Sequence, residues 1–122
     1  MNKILLLFSL SLCIVFCACT GEEPAEEGTA SLIVKVTQVD NSNAIMANVD
    51  LFESQLDYQN QSNAIATLQT DNLGEVYFTN LELKQYWFSA KLGNNTNKNS
   101  VFSTGRALTK DERMEKITQL RP

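Results

Sequence analysis

The sequence contains no histidine, and its three cysteines all lie within the first nineteen of its 122 positions. Without histidine, Ser-His-Asp and Cys-His catalysis are excluded, as are the usual zinc ligand sets and the commonest general base. Catalysis would then need paired carboxylates or a Ser-Lys arrangement, and the acidic residues are scattered over turns and polar faces. The sequence therefore predicts a protein that is not an enzyme, with no cofactor and no metal site.

Basic residues are also few. The chain has 10 lysine and arginine residues against 14 acidic ones, a net charge of −4, and the basic residues form no cluster. Proteins bind nucleic acids through basic patches that neutralise phosphates. The charge balance therefore excludes a nucleic acid from the predicted partners.

Long apolar runs are absent except at the N-terminus. After Lys3, an apolar run of about 15 residues extends to Ala18, whereas a membrane-spanning helix needs about 20. A charged start before such a short run is typical of a secretory signal peptide, which we predict at residues 1–18. Its removal would leave a folded part whose sequence has no thiol, which excludes a disulfide framework and a cysteine nucleophile there.

The end of this run, Phe16-Cys17-Ala18-Cys19, resembles a bacterial lipobox, with phenylalanine where that motif usually has an aliphatic residue. The resemblance implies that Cys19 is acylated and becomes the first residue of the mature chain. Several acyl chains on one residue give stable anchoring, so the membrane becomes a partner through the lipid. The alternative is an ordinary secretory signal that is cut nearby and releases the protein. The lipobox predicts a lipoprotein anchored to the bacterial outer membrane.

The segment 19–29 contains four glutamates, one proline and two glycines. Because this composition buries no apolar surface, it predicts a flexible, extended tether. An acidic run just after the lipidated cysteine also resembles the surface-export signals of Bacteroidota lipoproteins, although those usually include aspartates. A solvated spacer is the alternative, so the cell-surface and periplasmic faces both stay open.

The segment 30–122 is rich in alternating patterns. Residues 31–37 place Leu32, Val34 and Val36 on one face, the period of two that is typical of a half-buried strand. Similar patterns recur in NVDLFE, NAIATLQT, GEVYFTNL and QYWFSAKL, with a shorter candidate around Val101 and Phe102. The pattern predicts an all-β domain over residues 30–122, a single seven-stranded immunoglobulin-like sandwich.

The last segment, 109–120, is ambiguous. Thr109 with Glu112 three residues later is a capping-box pattern, and Met114 lies three residues before Ile117, which also suits a helix. Against this, the sandwich needs a final strand, and the residues from Glu115 onward can be drawn extended with a polar outer face. We favour the strand.

The stretch QTDNLGEVYFTNLELKQYWFSA carries the strongest local signal, a tight Asx and glycine turn followed by an alternating strand. It resembles the carboxypeptidase regulatory-like, prealbumin-like and collagen-adhesin B-type domains, with Lys84 as a departure where these usually have glycine. The resemblance implies a stalk, spacer or accessory module of secreted and surface proteins. The matching residues are Thr70, Asp71, Gly74, Val76, Phe78, Asn80, Leu81 and Tyr86.

The sequence disfavours two further kinds of site, a covalent bond between lysine and asparagine side chains and a calcium site. Some adhesin B-type domains join a first-strand lysine to a last-strand asparagine beside a buried acid. Here Lys35 should face solvent, Ala90 stands at the acid's position, and EKITQL has no asparagine, so we predict no such bond. Calcium at the 71–75 turn is also disfavoured, because three polar residues fall short of the six to eight oxygens that Ca²⁺ takes.

Two aromatic residues are the candidate recognition site. If the strands that follow Gly74 form a hairpin in which Phe78 faces Tyr86, then Tyr77 faces Trp87 on the outer surface. Such a pair could stack on a sugar ring or dock a protein, and the alternative is a cross-strand pair covered by a loop such as residues 56–62. The sequence thus predicts a lipid-anchored, non-enzymatic accessory or adhesion-type module with a protein or glycan partner. A carbohydrate-binding module that uses Tyr77 and Trp87 is the alternative.

Overall fold

The computed structural model describes residues 28–122. The predictions for the signal peptide, for Cys19 and for nearly all of the tether therefore lie outside the described residues. Within this part of the chain, seven strands and one short helix follow each other in sequence. They are β1 (Ala30–Thr37), β2 (Asn48–Phe52), helix α1 (Gln55–Asn60), β3 (Ala66–Gln69), β4 (Glu75–Leu81), β5 (Trp87–Leu92), β6 (Asn95–Thr96) and β7 (Arg113–Gln119).

The strands form two sheets. The three-stranded sheet has the order β4-β1-β7, and the four-stranded sheet has the order β3-β2-β5-β6. In the first sheet, β1 pairs antiparallel with β4 and parallel with β7, so that Leu32 lies between Phe78 and Met114. The predicted all-β sandwich is confirmed. Within residues 28–122, no helix is long and apolar enough to cross a membrane.

The core lies between the two sheets and follows the predicted alternation. The inward side chains of β1, Leu32, Val34 and Val36, are fully buried. The opposite sheet contributes the buried side chains of β2 and β5 together with Tyr86 at the start of β5. The main members are Leu32, Val34, Val36, Val49, Leu51, Val76, Phe78, Leu81, Tyr86, Phe88, Ala90, Leu108, Met114 and Leu120.

The turn before β4 needs glycine. Gly74 has a φ of 75°, a backbone conformation that costs residues with a Cβ roughly 1–2 kcal/mol. A Cβ at Gly74 would also lie 2.6 Å from the backbone oxygen of Val36. The close approach matters because Val36 N donates to Gly74 O at 2.7 Å. The turn thereby fixes where β4 meets β1.

The predicted pairing of the next two strands is wrong. The hairpin of Phe78 with Tyr86 does not form, because β4 pairs with β1 and β5 pairs with β2 in the other sheet. The short segment between β4 and β5 crosses from one sheet to the other. Leu81 and Tyr86 are both buried at the ends of this crossing, and Leu83 packs against the core.

The C-terminal segment forms strand β7, the alternative that we favoured from the sequence. Met114 is buried beside Leu32, whereas Ile117 faces outward and is 63% exposed. The capping-box contact nevertheless exists, since Thr109 N donates to Glu112 Oε1 at 2.9 Å. No helix follows it because Asp111 adopts a φ of 62°, which continues neither helix nor strand.

Two short segments differ from the expected strand pattern. The candidate around Val101 and Phe102 forms no strand, and its neighbour Ser103 makes an isolated bridge to Trp87. Helix α1 overlaps residues 56–62, for which the sequence suggests a loop. It begins after Ser54, whose Oγ accepts from Asp57 N at 3.0 Å, a capping contact that satisfies one free donor of the first turn.

Candidate functional site

The two predicted recognition residues lie on opposite sides of the molecule. Tyr77 is on the outer face of the three-stranded sheet, beside Ile33, and is 46% exposed. Trp87 is on the outer face of the four-stranded sheet, where its partner on β2 is Phe52. The structure does not bring them together, because the hairpin that would align them does not form. The predicted aromatic pair is therefore wrong as a single surface.

The turn at residues 71–75 is built from its own hydrogen bonds. Asp71 Oδ1 accepts from Leu73 N at 2.9 Å and from Glu75 N at 3.0 Å. These contacts give the side chain a structural role in the turn. Across residues 28–122, no three acidic, cysteine or histidine side chains come together as a metal site.

The positions tied to the adhesin resemblance are also placed. Lys35 alternates with the buried Val34 and Val36, so it lies on the outer face of β1, half-buried between Glu75 and Ile117. Ala90 is fully buried in the core. Lys84 lies at the surface, where its Nζ is 3.4 Å from a carboxylate oxygen of Glu53 and 3.2 Å from one of Glu82.

A cluster of aromatic side chains lies on the outer face of the four-stranded sheet. Helix α1 packs on β2 and β5, and its Tyr58 contacts the buried Phe52 edge to face, with ring centroids 6.0 Å apart. On its other side, Tyr58 stacks on Phe102 at 5.2 Å and 9°. Burial raises the pKa of the Tyr58 hydroxyl. This cluster holds the helix on the sheet, since such aromatic pairs add to the energy of burial.

A cavity of about 290 Å³ opens beside this cluster. Its walls are the C-terminal end of α1 on one side and the residues after β6 on the other, and its floor is the outer face of β5. The size is close to the lower end of ligand pockets, which span roughly 300–1,000 Å³. The lining residues are Tyr58, Gln59, Gln61, Ser89, Lys91, Thr96, Asn97 and Lys98.

Asn97 fixes the wall that follows β6. Its side chain is 1% exposed, and its Oδ1 accepts from Ala90 N at 2.9 Å. Its Nδ2 donates to Phe88 O at 3.3 Å and to Val101 O at 2.9 Å. One side chain thus satisfies three backbone groups and holds the loop against the edge of β5.

Ser89 forms the floor of the cavity. Its side chain is on the outer face of β5, and the residue is 5% exposed. Its neighbour on β2 is Asp50, whose Oδ1 accepts from Thr67 Oγ1 at 2.7 Å. Among residues 28–122, no group forms a hydrogen bond with the Ser89 hydroxyl, so this buried donor and acceptor points into the cavity unpaired.

The charge of the cavity differs from that of the chain. Two lysines, Lys91 and Lys98, line it, and no carboxylate does, while the chain as a whole carries a net charge of −4. Gln59 and Gln61 at the end of α1 add amide groups. The cavity therefore offers two cations and several neutral groups that donate and accept hydrogen bonds.

Sequence patterns gave little sign of this site. Ser89 and Lys91 stand on the polar face of a predicted strand, and Asn97 lies in an asparagine-rich loop where nothing sets it apart from its neighbours. The one available signal was the suggestion that residues 56–62 could cover an outer face. The cavity depends on how two connections fold back over the sheet, which alternation does not encode.

No protein-family model matches the chain, and no curated protein sequence matches it. Among solved structures, the chain is similar to the Bacillus anthracis TIE protein, with a TM-score of 0.56 and 14% identity over 78% of this chain and 17% of that one. It is also similar to BcpA, the major pilin subunit of Bacillus cereus, with a TM-score of 0.46 and 16% identity over 74% of this chain and 28% of that one. The chain thus spans under a third of the length of either structure. The first likeness supports the immunoglobulin-like fold.

Proposed function

We propose that this protein is a non-enzymatic, accessory or adhesion-type binding module, held at the bacterial cell envelope by a lipid on Cys19. The proposal joins the lipobox and acidic segment of the sequence to a sandwich that carries a polar cavity on one outer face. The location is the outer membrane, with the domain on its cell-surface or periplasmic side.

The direction in which the chain enters the sandwich supports this proposal. Residue 29 is fixed at one end of the domain, where Asp111 N donates to Thr29 O at 2.9 Å. The cavity lies toward the other end, since Thr96 in its wall pairs with Arg121, just beyond the far end of β7. The length of β1, roughly 25 Å at about 3.3 Å per residue, separates the two ends. A membrane anchor at residue 19 would therefore be joined to the domain at the end opposite the cavity.

The chemistry of the cavity supports binding over catalysis. A serine nucleophile needs a base within about 2.6–3.2 Å. Ser89 and Lys91 both line the cavity, yet within the described residues no hydrogen bond joins the Ser89 hydroxyl to the Lys91 ammonium. The groups present can hold a polar ligand without activating one of its bonds.

The test compares Cys19→Ser with wild type in intact cells. We expect wild type in the envelope fraction, with an acylated N-terminal peptide by mass spectrometry, and we expect Cys19→Ser to lose both. Cys17→Ser is the matched control and should remain acylated. An unmodified Cys19 in wild type would overturn the anchor.

Protease treatment of the same cells then decides the face. Shaving of the wild-type domain would place it at the cell surface, and full protection until the outer membrane is opened would place it in the periplasm. Release of wild type into the medium without lipid would overturn both positions.

A further inference from the structure

We infer that the cavity between the end of α1 and residues 96–98 binds a carboxylate-bearing saccharide, one sugar unit at a time. The inference rests on the proposed function as a binding module, because it names the ligand class of that module's cavity. It transfers the recognition role from Tyr77 and Trp87 to a site that neither residue lines.

The buried hydroxyl of Ser89 points to a ligand. Burying a hydroxyl without a hydrogen bond is energetically unfavourable. Ser89 is 5% exposed and lies on the cavity floor without a hydrogen-bond partner among residues 28–122. A ligand hydroxyl seated on the floor would supply the missing partner.

The two lysines select an anion. Lys91 rises from β5 and Lys98 follows β6, so their ammonium groups come from two elements that meet at the cavity. Asp50, which lies beside Ser89 on β2, already accepts from Thr67 and is not part of the lining. Two cations in a concave site of an acidic protein attract a negatively charged ligand, and a carboxylate can accept a charge-assisted hydrogen bond from each.

The remaining groups favour a sugar over a bare anion. Serine and threonine hydroxyls and glutamine amides both donate and accept hydrogen bonds, as sugar hydroxyls do. Gln61 Nε2 donates to Tyr58 O at 2.7 Å, which orients its amide and leaves the carbonyl oxygen for a ligand. A specific interface with a protein partner buries roughly 1,200 Å² or more in total, much more surface than one small cavity offers. The cavity volume of about 290 Å³ suits a single sugar ring.

The test is a titration of the purified, ¹⁵N-labelled full-length chain with D-glucuronate, followed by NMR. We expect saturable shifts of the backbone amides at residues 89–91 and 96–98. D-glucose tests the need for the carboxylate, and acetate tests the need for the sugar. Glucose should bind at least about tenfold more weakly, because it loses the charge-assisted hydrogen bonds of the carboxylate. Acetate should bind at least several-fold more weakly, because it loses the hydrogen bonds of the sugar hydroxyls.

Variants locate the site. Lys91→Gln and Lys98→Gln should each weaken glucuronate binding about tenfold, whereas Lys110→Gln, an equally exposed lysine near residue 28, should leave it unchanged. Ser89→Ala should weaken binding several-fold without loss of stability, because it removes a hydroxyl that has no partner in the free protein.

Four outcomes would overturn the inference. These are no saturable shifts with glucuronate, glucose binding as tightly as glucuronate, acetate binding as tightly as glucuronate, or equal weakening by Lys110→Gln. None of them touches the anchor at Cys19, which is tested by fractionation and mass spectrometry. A loss of the anchor with normal glucuronate binding would leave the ligand class standing and change only the location.

Discussion

The two outer faces of the sandwich are built differently. The outer face of the three-stranded sheet is open, with Tyr77 46% exposed beside Ile33 and Ile117 63% exposed beside Lys35. The outer face of the four-stranded sheet is covered by α1 and by the segment that precedes β7. This face carries the aromatic cluster of Phe52, Tyr58 and Phe102 and the polar cavity.

The strands themselves do not explain the difference, since both sheets alternate inward and outward side chains. The difference comes from the connections. Residues 53–65, which include α1, fold back over the four-stranded sheet, and Phe102 between β6 and β7 packs on Tyr58 of that helix, whereas β3 and β4 are joined by a tight turn. The walls of the cavity are therefore supplied largely by segments that lie between strands, over a floor that a strand supplies.

The largest expected effect contrasts one aromatic residue from each face. Phe52→Ala removes a ring that is 1% exposed beneath α1, so it should lower the free energy of unfolding by about 3–5 kcal/mol. Tyr77→Ala on the open face should cost under about 1 kcal/mol, as surface substitutions usually do. Urea unfolding followed by circular dichroism would measure both.

Equal losses for the two variants would break the comparison, because they would show that the open face is packed as tightly as the covered one. A small loss for Phe52→Ala would mean that α1 adds little to the fold. The cavity wall that α1 forms would then be too weakly held to bind a ligand.

The next largest effect is expected for Asn97, in the connection between β6 and β7 that forms one wall of the cavity. Asn97→Ala removes the partner of three backbone groups, at Ala90, Phe88 and Val101. It should cost about 3 kcal/mol, since three groups left unpaired carry a penalty of at least roughly 1 kcal/mol each. Asn99→Ala is the matched control, an exposed asparagine in the same loop, and should be close to neutral. A neutral Asn97→Ala would show that the wall is not fixed by this side chain.

The sequence predicts the strands better than it predicts the connections between them. The inward residues of β1, such as Val34 and Val36, were predictable because a period of two directly reflects burial on one face. The pairing of Tyr77 with Trp87 was not, because it assumed that strands adjacent in sequence are adjacent in a sheet. The crossing between Leu81 and Tyr86 makes them members of different sheets.

The candidate site was still harder to predict. Ser89 looks like any outward residue of a strand until α1 is placed above it, and Asn97 looks like its neighbours until its three contacts are known. Local signals also need their context. Thr109 and Glu112 form the expected contact, yet tertiary pairing with β1 makes the following residues a strand.

The smallest expected effect concerns an ion pair within residues 93–112, close to where β7 begins. Arg106, in residues 93–112, donates from Nη1 to Glu112 Oε1 at 2.9 Å, directly before β7. This hydrogen bond, with a further one from the backbone of Thr109, lowers the pKa of the Glu112 carboxyl to about 2 from its ordinary 4.5. The carboxylate therefore contributes stability that is fully present above about pH 4.5.

That contribution should disappear as the pH falls from 4.5 towards 2, because the folded state must then take up the proton that the unfolded chain binds more readily. The free energy of unfolding, measured across this pH window, should therefore fall less steeply with decreasing pH for Glu112→Gln than for wild type. Glu115→Gln, on β7 and in no ion pair among residues 28–122, should keep the wild-type slope. The difference should be small and should shrink in high salt, because the Arg106 side chain is 55% exposed. An identical slope for Glu112→Gln and wild type would mean that the covering segment is held by its buried contacts alone, which would widen the contrast between the two faces.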